Sequence, residues 1–207
     1  MKIYLHTLGC RLNQAEIETM ARQFQAGGHT ITGDPAEADT IVMNTCAVTA
    51  QATRDARQLT RRFNRANESA EIVLTGCYAT LAPQVVAELP GVVRVVANAE
   101  KERLPALIDP GLPPFDREPL ERDIRPGSFG RTRAFVKVQD GCDNRCTFCV
   151  TTIARGPGCS RPLADVVAEV NAFAAAGYGE AVLSGVHLGS YGRDLGRPAG
   201  LRELLAA

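Results

Sequence analysis

The chain has 207 residues, enough for one domain and part of another, and no run of about eighteen apolar residues that would cross a membrane. Lysine plus arginine equals aspartate plus glutamate, 23 of each, so no global charge announces a nucleic-acid partner. Met1-Lys2-Ile3 opens into a strand rather than an apolar leader. Seven cysteines without a secretion signal then predict a cytoplasmic protein, whose thiols bind metal instead of forming disulfides.

In chain order, the apolar run Lys2-Ile3-Tyr4-Leu5 predicts a strand leading to Cys10, and Asn13 to Gln25 predicts a helix that stops at Gly27-Gly28. Thr40-Ile41-Val42-Met43 leads to Cys46, Val48 to Asn67 reads as a second helix, and Glu71-Ile72-Val73-Leu74 leads to Cys77. A shorter helix at Pro83 to Leu89 and a strand at Val92 to Val96 follow. β-Branched runs alternating with helical segments indicate parallel strands with crossover helices. Functional groups in such sheets gather beyond the carboxyl ends of the strands. Cys10, Cys46 and Cys77 stand at three such ends, so they are expected to converge. A single buried thiol would be unremarkable packing, but three in equivalent positions are not. Arg54, Arg57, Arg61 and Arg65 recur on one face of the second helix, with Arg62 adjacent.

Prolines 105, 110, 113, 114, 119 and 126 break periodicity and predict a linker or extended wrap over residues 100–130. A second α/β segment follows, with a strand at Arg133 to Val138, a cysteine-rich loop, and a helix at Leu163 to Ala176. A strand at Glu180 to Ser184 and a helix beginning near Leu201 complete it.

The loop Gly141-Cys142-Asp143-Asn144-Arg145-Cys146-Thr147-Phe148-Cys149 places three thiols at C-x₃-C-x₂-C spacing. A four-iron cubane takes at most one thiolate per iron, so three cysteines leave one iron open to a small molecule. Zinc, the competing reading, favours four ligands and paired knuckles, and no second pair stands nearby. The spacing, with an aromatic before the last cysteine, resembles the radical S-adenosylmethionine (SAM) signature.

The resemblance extends over the chain. Thr7-Leu8-Gly9-Cys10-Arg11-Leu12-Asn13-Gln14, Asn44-Thr45-Cys46-Ala47-Val48-Thr49 and Thr75-Gly76-Cys77-Tyr78-Ala79 resemble the amino-terminal half of the radical SAM tRNA methylthiotransferases. So do Ala154-Arg155-Gly156, Ser160-Arg161 and Leu183-Ser184-Gly185-Val186-His187-Leu188-Gly189-Ser190-Tyr191-Gly192. The closest likeness is to the branch that methylthiolates C2 of N6-threonylcarbamoyladenosine beside the tRNA anticodon.

The resemblance implies an α/β fold: an amino-terminal parallel-sheet methylthiotransferase domain over 1–99, the linker over 100–130, and an incomplete radical SAM (β/α) barrel over 131–207. It also implies two [4Fe-4S] clusters, an auxiliary one on Cys10, Cys46 and Cys77 and a SAM-binding one on Cys142, Cys146 and Cys149. Phe148 would contact the adenine of SAM, and Ser184 and Gly185 its methionyl end. The implied partners are tRNA and an electron donor such as flavodoxin or ferredoxin, with no membrane.

His187, at a strand end, and Asp140 and Arg145, beside the cysteines, read as structural or solvated. Cys159 reads as a spare thiol, and Arg155 and Arg161 as groups nearer the substrate. A full eight-fold barrel takes about 250 residues, so two βα units after the linker lead to the expectation of a fragment, truncated product or split enzyme. Such a chain is expected to be unable to act on tRNA alone. Alternative functions are a non-catalytic iron–sulfur or electron-transfer module, or methylthiolation of isopentenyladenosine tRNA or a ribosomal-protein aspartate.

Overall fold

A computed structural model describes residues 1–112 and 133–207, and the chain divides into two compact units, Met1–Phe115 and Asp116–Ala207. In unit 1 five parallel strands run in the order β2-β1-β3-β4-β5. They are β1 (Lys2–Thr7), β2 (Thr30–Thr32), β3 (Thr40–Thr45), β4 (Glu71–Gly76) and β5 (Val92–Val96). All six residues of β3 are buried, as expected for a parallel strand covered on both faces. Alternation then assigns each residue a side. Ile41, Met43, Ile72 and Leu74 pack with Ala56 and Phe63 of α2 (Ala50–Ala66), Tyr78 of α3 (Cys77–Leu81) and Val86 of α4 (Pro83–Ala87). Val42 and Val73 pack with Ile17, Met20 and Phe24 of α1 (Arg11–Ala26) on the opposite face.

The predicted strands and main helices are present, with revised ends. β1, β3 and β4 each run two or more residues past the apolar stretch, because Asn44, Thr45 and Thr75 are paired in the ladder and fully buried. The short polar β2 and a 3₁₀ turn at Pro35–Glu37 carried no readable periodicity. The expected linker also begins later than residue 100. A 3₁₀ segment, Asn98–Arg103, runs into α5 (Leu104–Ile108), which buries Leu104 against the α1 face, and Leu112 joins the same core. Pro105 stands in the first turn of α5, where no backbone N–H is required, so it starts a helix rather than breaking one. Residues 113–130 of the expected linker lie outside the described residues.

Lys101 carries the firmest polar link of this segment. Its Nζ lies 2.8 Å from Glu16 Oε2, and both side chains are 4% exposed. The same carboxylate oxygen accepts from Asn44 Nδ2 at 3.0 Å. Removing one partner of a buried pair leaves an uncompensated charge, at a cost of about 3–5 kcal/mol. Lys101→Met is therefore expected to lower stability by that order in urea denaturation, with Glu16→Gln/Lys101→Met recovering part of it. A loss under about 1 kcal/mol would show that the pair contributes little.

Among its described residues unit 2 holds one parallel pair, β6 (Arg133–Lys137) with β9 (Glu180–Ser184), in the register Arg133↔Glu180 to Lys137↔Ser184. Between them lie a small antiparallel ribbon, β7 (Gln139–Asp140) with β8 (Cys159–Ser160), then α6 (Thr151–Arg155) and α7 (Leu163–Ala175). Val166 and Phe173 of α7 and Leu204 of α8 (Gly200–Ala206) close a core over Ala134, Val136 and Val138. Strand, crossover helix and parallel strand form the repeating unit of a (β/α) barrel, here in partial form.

Candidate functional site

The strand order of unit 1 reverses between β1 and β3, and the crevice beyond the carboxyl ends at such a switch point is where open α/β sheets bind ligands. Cys10 follows β1, Cys46 directly follows β3, and Cys77 opens α3 directly after β4. Cys46 and Cys77 are buried and Cys10 is exposed. The Cys46 thiol is pushed up, chiefly by burial and further by the proximity of Cys77 and Cys10, against a hydrogen bond from the Val48 backbone. The chain leaves β1 through Gly9, at φ +98, and a Cβ there would lie 2.6 Å from Cys46 Cβ and 2.7 Å from its Sγ.

Polar side chains knit these strand ends together. Asn13 Nδ2 donates to the carbonyls of Leu8 at 2.7 Å and Thr45 at 3.2 Å, and its Oδ1 accepts from Cys10 Sγ at 3.8 Å. Thr45 Oγ1 donates to the Thr75 carbonyl and accepts from Ala79 N–H, while Thr75 Oγ1 donates to the Val96 carbonyl. Asn98 Nδ2 donates to Cys77 Sγ at 3.8 Å. Asn98 does not stand out in the sequence as part of this site.

Among the described residues no three His, Cys, Asp or Glu side chains are disposed to hold a single metal ion. A cubane makes a different demand, since each thiolate meets its own iron. Three thiols on separate strand ends, one already receiving an amide N–H, suit that demand; hydrogen bonds to the sulfurs are among the levers on cluster potential.

In unit 2 the second triplet lies on the loop between β6 and α6. Cys146 is exposed, and Cys142 and Cys149 are half-buried. Asp140 anchors the start of the loop. Its carboxylate accepts from Gly141 N–H at 2.8 Å, pairs with Arg155 at 2.9 and 3.0 Å, and lies 2.7 Å from Lys137 Nζ. Gly141 is pressed against Pro157, whose carbonyl oxygen would lie 1.8 Å from a Cβ at that position. Cys142 N–H donates to the Gly156 carbonyl and Cys149 N–H to that of Cys146, each at 3.0 Å. The Cys149 thiol is held below its ordinary pKa by the backbone N–H groups of Thr152 and Thr151, which favours the thiolate form that binds metal.

Phe148 is 90% exposed and so takes no part in the core. Ser184 is buried at the end of β9; its hydroxyl turns back to the Val182 carbonyl and its own carbonyl accepts from Val138 N–H. Gly185 follows, where a Cβ would come within 3.0 Å of Gln139 Oε1. Gln139 joins the cysteine loop to this turn. It is 1% exposed, its Nε2 donates to the carbonyls of Asp140 and Gly141, and its Oε1 accepts from His187 N–H at 3.0 Å. Sequence reasoning passes over it; the signal is a polar residue ending an apolar strand just before the Asp-Gly-Cys turn.

Two arginines expected nearer the substrate are structural instead. Arg155 is 1% exposed in its pair with Asp140, and Arg161 is held by Glu169 and the Lys137 carbonyl. Each guanidinium is paired with a carboxylate within unit 2. Cys159 is exposed on β8, outside both triplets.

Residues 2–98 match the family described as uncharacterized protein family UPF0004. Over 206 residues the chain is 36% identical to the threonylcarbamoyladenosine tRNA methylthiotransferase MtaB of Bacillus subtilis, covering 93% of the chain and 45% of that protein. The MtaB of Thermotoga maritima is also 36% identical, with coverage of 98% and 48%. The ribosomal protein uS12 methylthiotransferase RimO of Desulfosudis oleivorans is 34% identical, with coverage of 100% and 50%. The chain thus spans about half the length of the curated relatives it matches. Among solved structures, the radical SAM methyltransferase TsrM of Kitasatospora setae superposes with a TM-score of 0.62 over 99% of this chain and 50% of that one. At 16% identity the likeness is one of fold.

Proposed function

We propose that this chain, which is related along nearly its whole length to about half the length of the radical SAM methylthiotransferases, carries the two iron–sulfur sites of an enzyme that methylthiolates tRNA. The observation that supports the reading is the placement of Cys10, Cys46 and Cys77 just beyond the carboxyl ends of β1, β3 and β4, three adjacent parallel strands of one sheet. Cys142, Cys146 and Cys149 would hold the second cluster, the one that takes SAM. Bound there, the clusters and SAM would supply one-electron chemistry, which C2 of an adenine requires because no side-chain base removes that proton at neutral pH.

The chain's own residues bind and orient. Asp140, held by Arg155 and Lys137, fixes the entry to the cysteine loop. Gln139 ties that loop to the Ser184-Gly185 turn, so a ligand spanning both would meet a preset geometry. Phe148, free of the core, would stack on an adenine ring. Asn98 would orient Cys77. The substrate we assign is N6-threonylcarbamoyladenosine in tRNA, supported by the MtaB relatives; the RimO relatives are named for a ribosomal protein instead. An electron donor of the flavodoxin or ferredoxin type would reduce the clusters.

The test is anaerobic incubation of the reconstituted protein with SAM, a reductant and tRNA bearing threonylcarbamoyladenosine, followed by mass spectrometry of the nucleosides. Reductive cleavage of SAM is expected from this chain, and the 2-methylthio derivative from a version extended to the length of the MtaB relatives. Modification of uS12 peptide instead would redirect the substrate, and intact clusters that never cleave SAM would favour a non-catalytic iron–sulfur module.

A further inference from the structure

The neutral chain concentrates positive charge on one helix. α2 carries Arg54, Arg57, Arg61, Arg62 and Arg65 against a single aspartate, Asp55. Ala56, Thr60 and Phe63 turn toward the sheet, while Arg54, Arg61, Arg62 and Arg65 are exposed on the other side. Among the described residues no carboxylate comes within ion-pairing distance of these four. Arg57 is half-buried and donates to Tyr78 Oη at 3.3 Å.

Like charges three and four residues apart repel along a helix, and among the described residues no ion pair relieves them. The position of the stripe is equally informative. α2 begins four residues after Cys46, and Arg57 reaches the residue after Cys77, so the stripe starts at the strand-end crevice. It then runs from Arg54 to Arg65, about 16 Å at helical rise. Arginine, whose planar fork pairs bidentately with phosphate, is used at every position of the stripe and lysine at none.

We propose that the exposed face of α2 contacts the phosphate backbone of RNA, in line with a nucleotide presented at the crevice between Cys10, Cys46 and Cys77. This rests on the tRNA reading above. It adds a surface that positions the strand by charge and carries no base recognition of its own. An acidic protein could also meet a basic helix, but a narrow linear stripe leading out of a ligand crevice fits a strand better than a broad protein interface.

The test is fluorescence anisotropy of a labelled anticodon stem–loop RNA with the full chain, titrated between about 50 and 200 mM KCl. Wild type is compared with Arg54→Gln/Arg61→Gln/Arg62→Gln/Arg65→Gln and with the corresponding four-lysine variant. All four sites are exposed, and glutamine is a good helix former, so circular dichroism and iron content are expected to stay unchanged. The glutamine variant is expected to bind on the order of tenfold more weakly at low salt. Its log–log salt slope is expected to be shallower by about 2–3, because each phosphate left without its arginine takes roughly 0.7 from the slope. The lysine variant is expected to retain most of the slope.

An unchanged slope and affinity in the glutamine variant overturns the proposal. So does normal RNA binding with slowed reduction by an acidic flavodoxin, which assigns the face to a protein partner. If wild type methylthiolates tRNA while the variant keeps its salt slope, the function stands and this surface falls. If wild type binds with the expected slope change but a version extended to the length of the MtaB relatives makes no methylthio nucleoside, the surface stands and the function falls. If wild type binds no RNA, both fall.

Discussion

Alanine at Cys142, Cys146 and Cys149 is expected to halve the iron and sulfide held after anaerobic reconstitution, from about eight to about four of each per chain, and to abolish reductive cleavage of SAM. Alanine at Cys10, Cys46 and Cys77 is expected to halve the metal equally but to leave SAM cleavage running without methylthiolation. The asymmetry follows from the architecture. The two triplets lie in separate compact units with separate cores, so the loss of one cluster leaves the fold around the other in place. The exposed Phe148 and the Gln139-linked Ser184-Gly185 turn are both in unit 2, where we propose that SAM binds. Electron paramagnetic resonance of the reduced protein is expected to respond to SAM only when the second triplet is intact. Stoichiometric zinc without charge-transfer absorbance, or a SAM response that follows the first triplet, would refute this assignment.

The legible parts of the fold are those in which one physical demand dominates. Val92–Val96, with four valines, and Glu180–Ser184, with Ala181-Val182-Leu183 at its centre, match their expected spans because a short apolar run has few other uses. The ends of β3 and β4 read short because Asn44, Thr45 and Thr75 look like loop residues. The Thr45 and Thr75 hydroxyls donate to carbonyls of β4 and β5, and Asn44 Nδ2 donates to the Asn13 carbonyl and Glu16 on α1, partners that composition cannot display. Pro105 reads as a breaker because its role depends on its position within a turn, and only the register of α5 gives that.

The site divides in the same way. The C-x₃-C-x₂-C spacing draws attention to Cys142, Cys146 and Cys149, and the position after three apolar runs draws it to Cys10, Cys46 and Cys77. Gln139 and Asn98 are silent, because each acts through a partner far away in sequence, His187 for one and Cys77 for the other. Arg155 and Arg161 read as substrate groups because adjacency to a cysteine loop reveals nothing about whether a carboxylate already neutralises them. Asp140 and Glu169 do so here.

Gly9→Ala is expected to cost the auxiliary cluster while sparing the other. Two penalties combine at this position. A side chain at φ +98 carries roughly 1–2 kcal/mol of backbone strain. The new Cβ would also sit 2.6 Å from Cys46 Cβ and 2.7 Å from Sγ, too near for any contact, so the thiol or the exit of β1 must move. Overpacking of this kind adds about 1–3 kcal/mol. Gly28→Ala separates the two, because Gly28 has φ +81 but nothing within 4 Å of its added Cβ. It is expected to lose roughly 1–2 kcal/mol of stability with full iron content. Gly9→Ala is expected to lose about 2–5 kcal/mol and to hold about four irons instead of eight. The effect on metal exceeds the effect on stability because a cluster site depends on where the sulfur stands as well as on whether the chain folds. Urea denaturation of the apoprotein and iron analysis of the reconstituted protein measure the two quantities separately. If Gly9→Ala matches Gly28→Ala in both, Cys46 does not need the space that Gly9 leaves, and the close approach of β1 to β3 is incidental to the site.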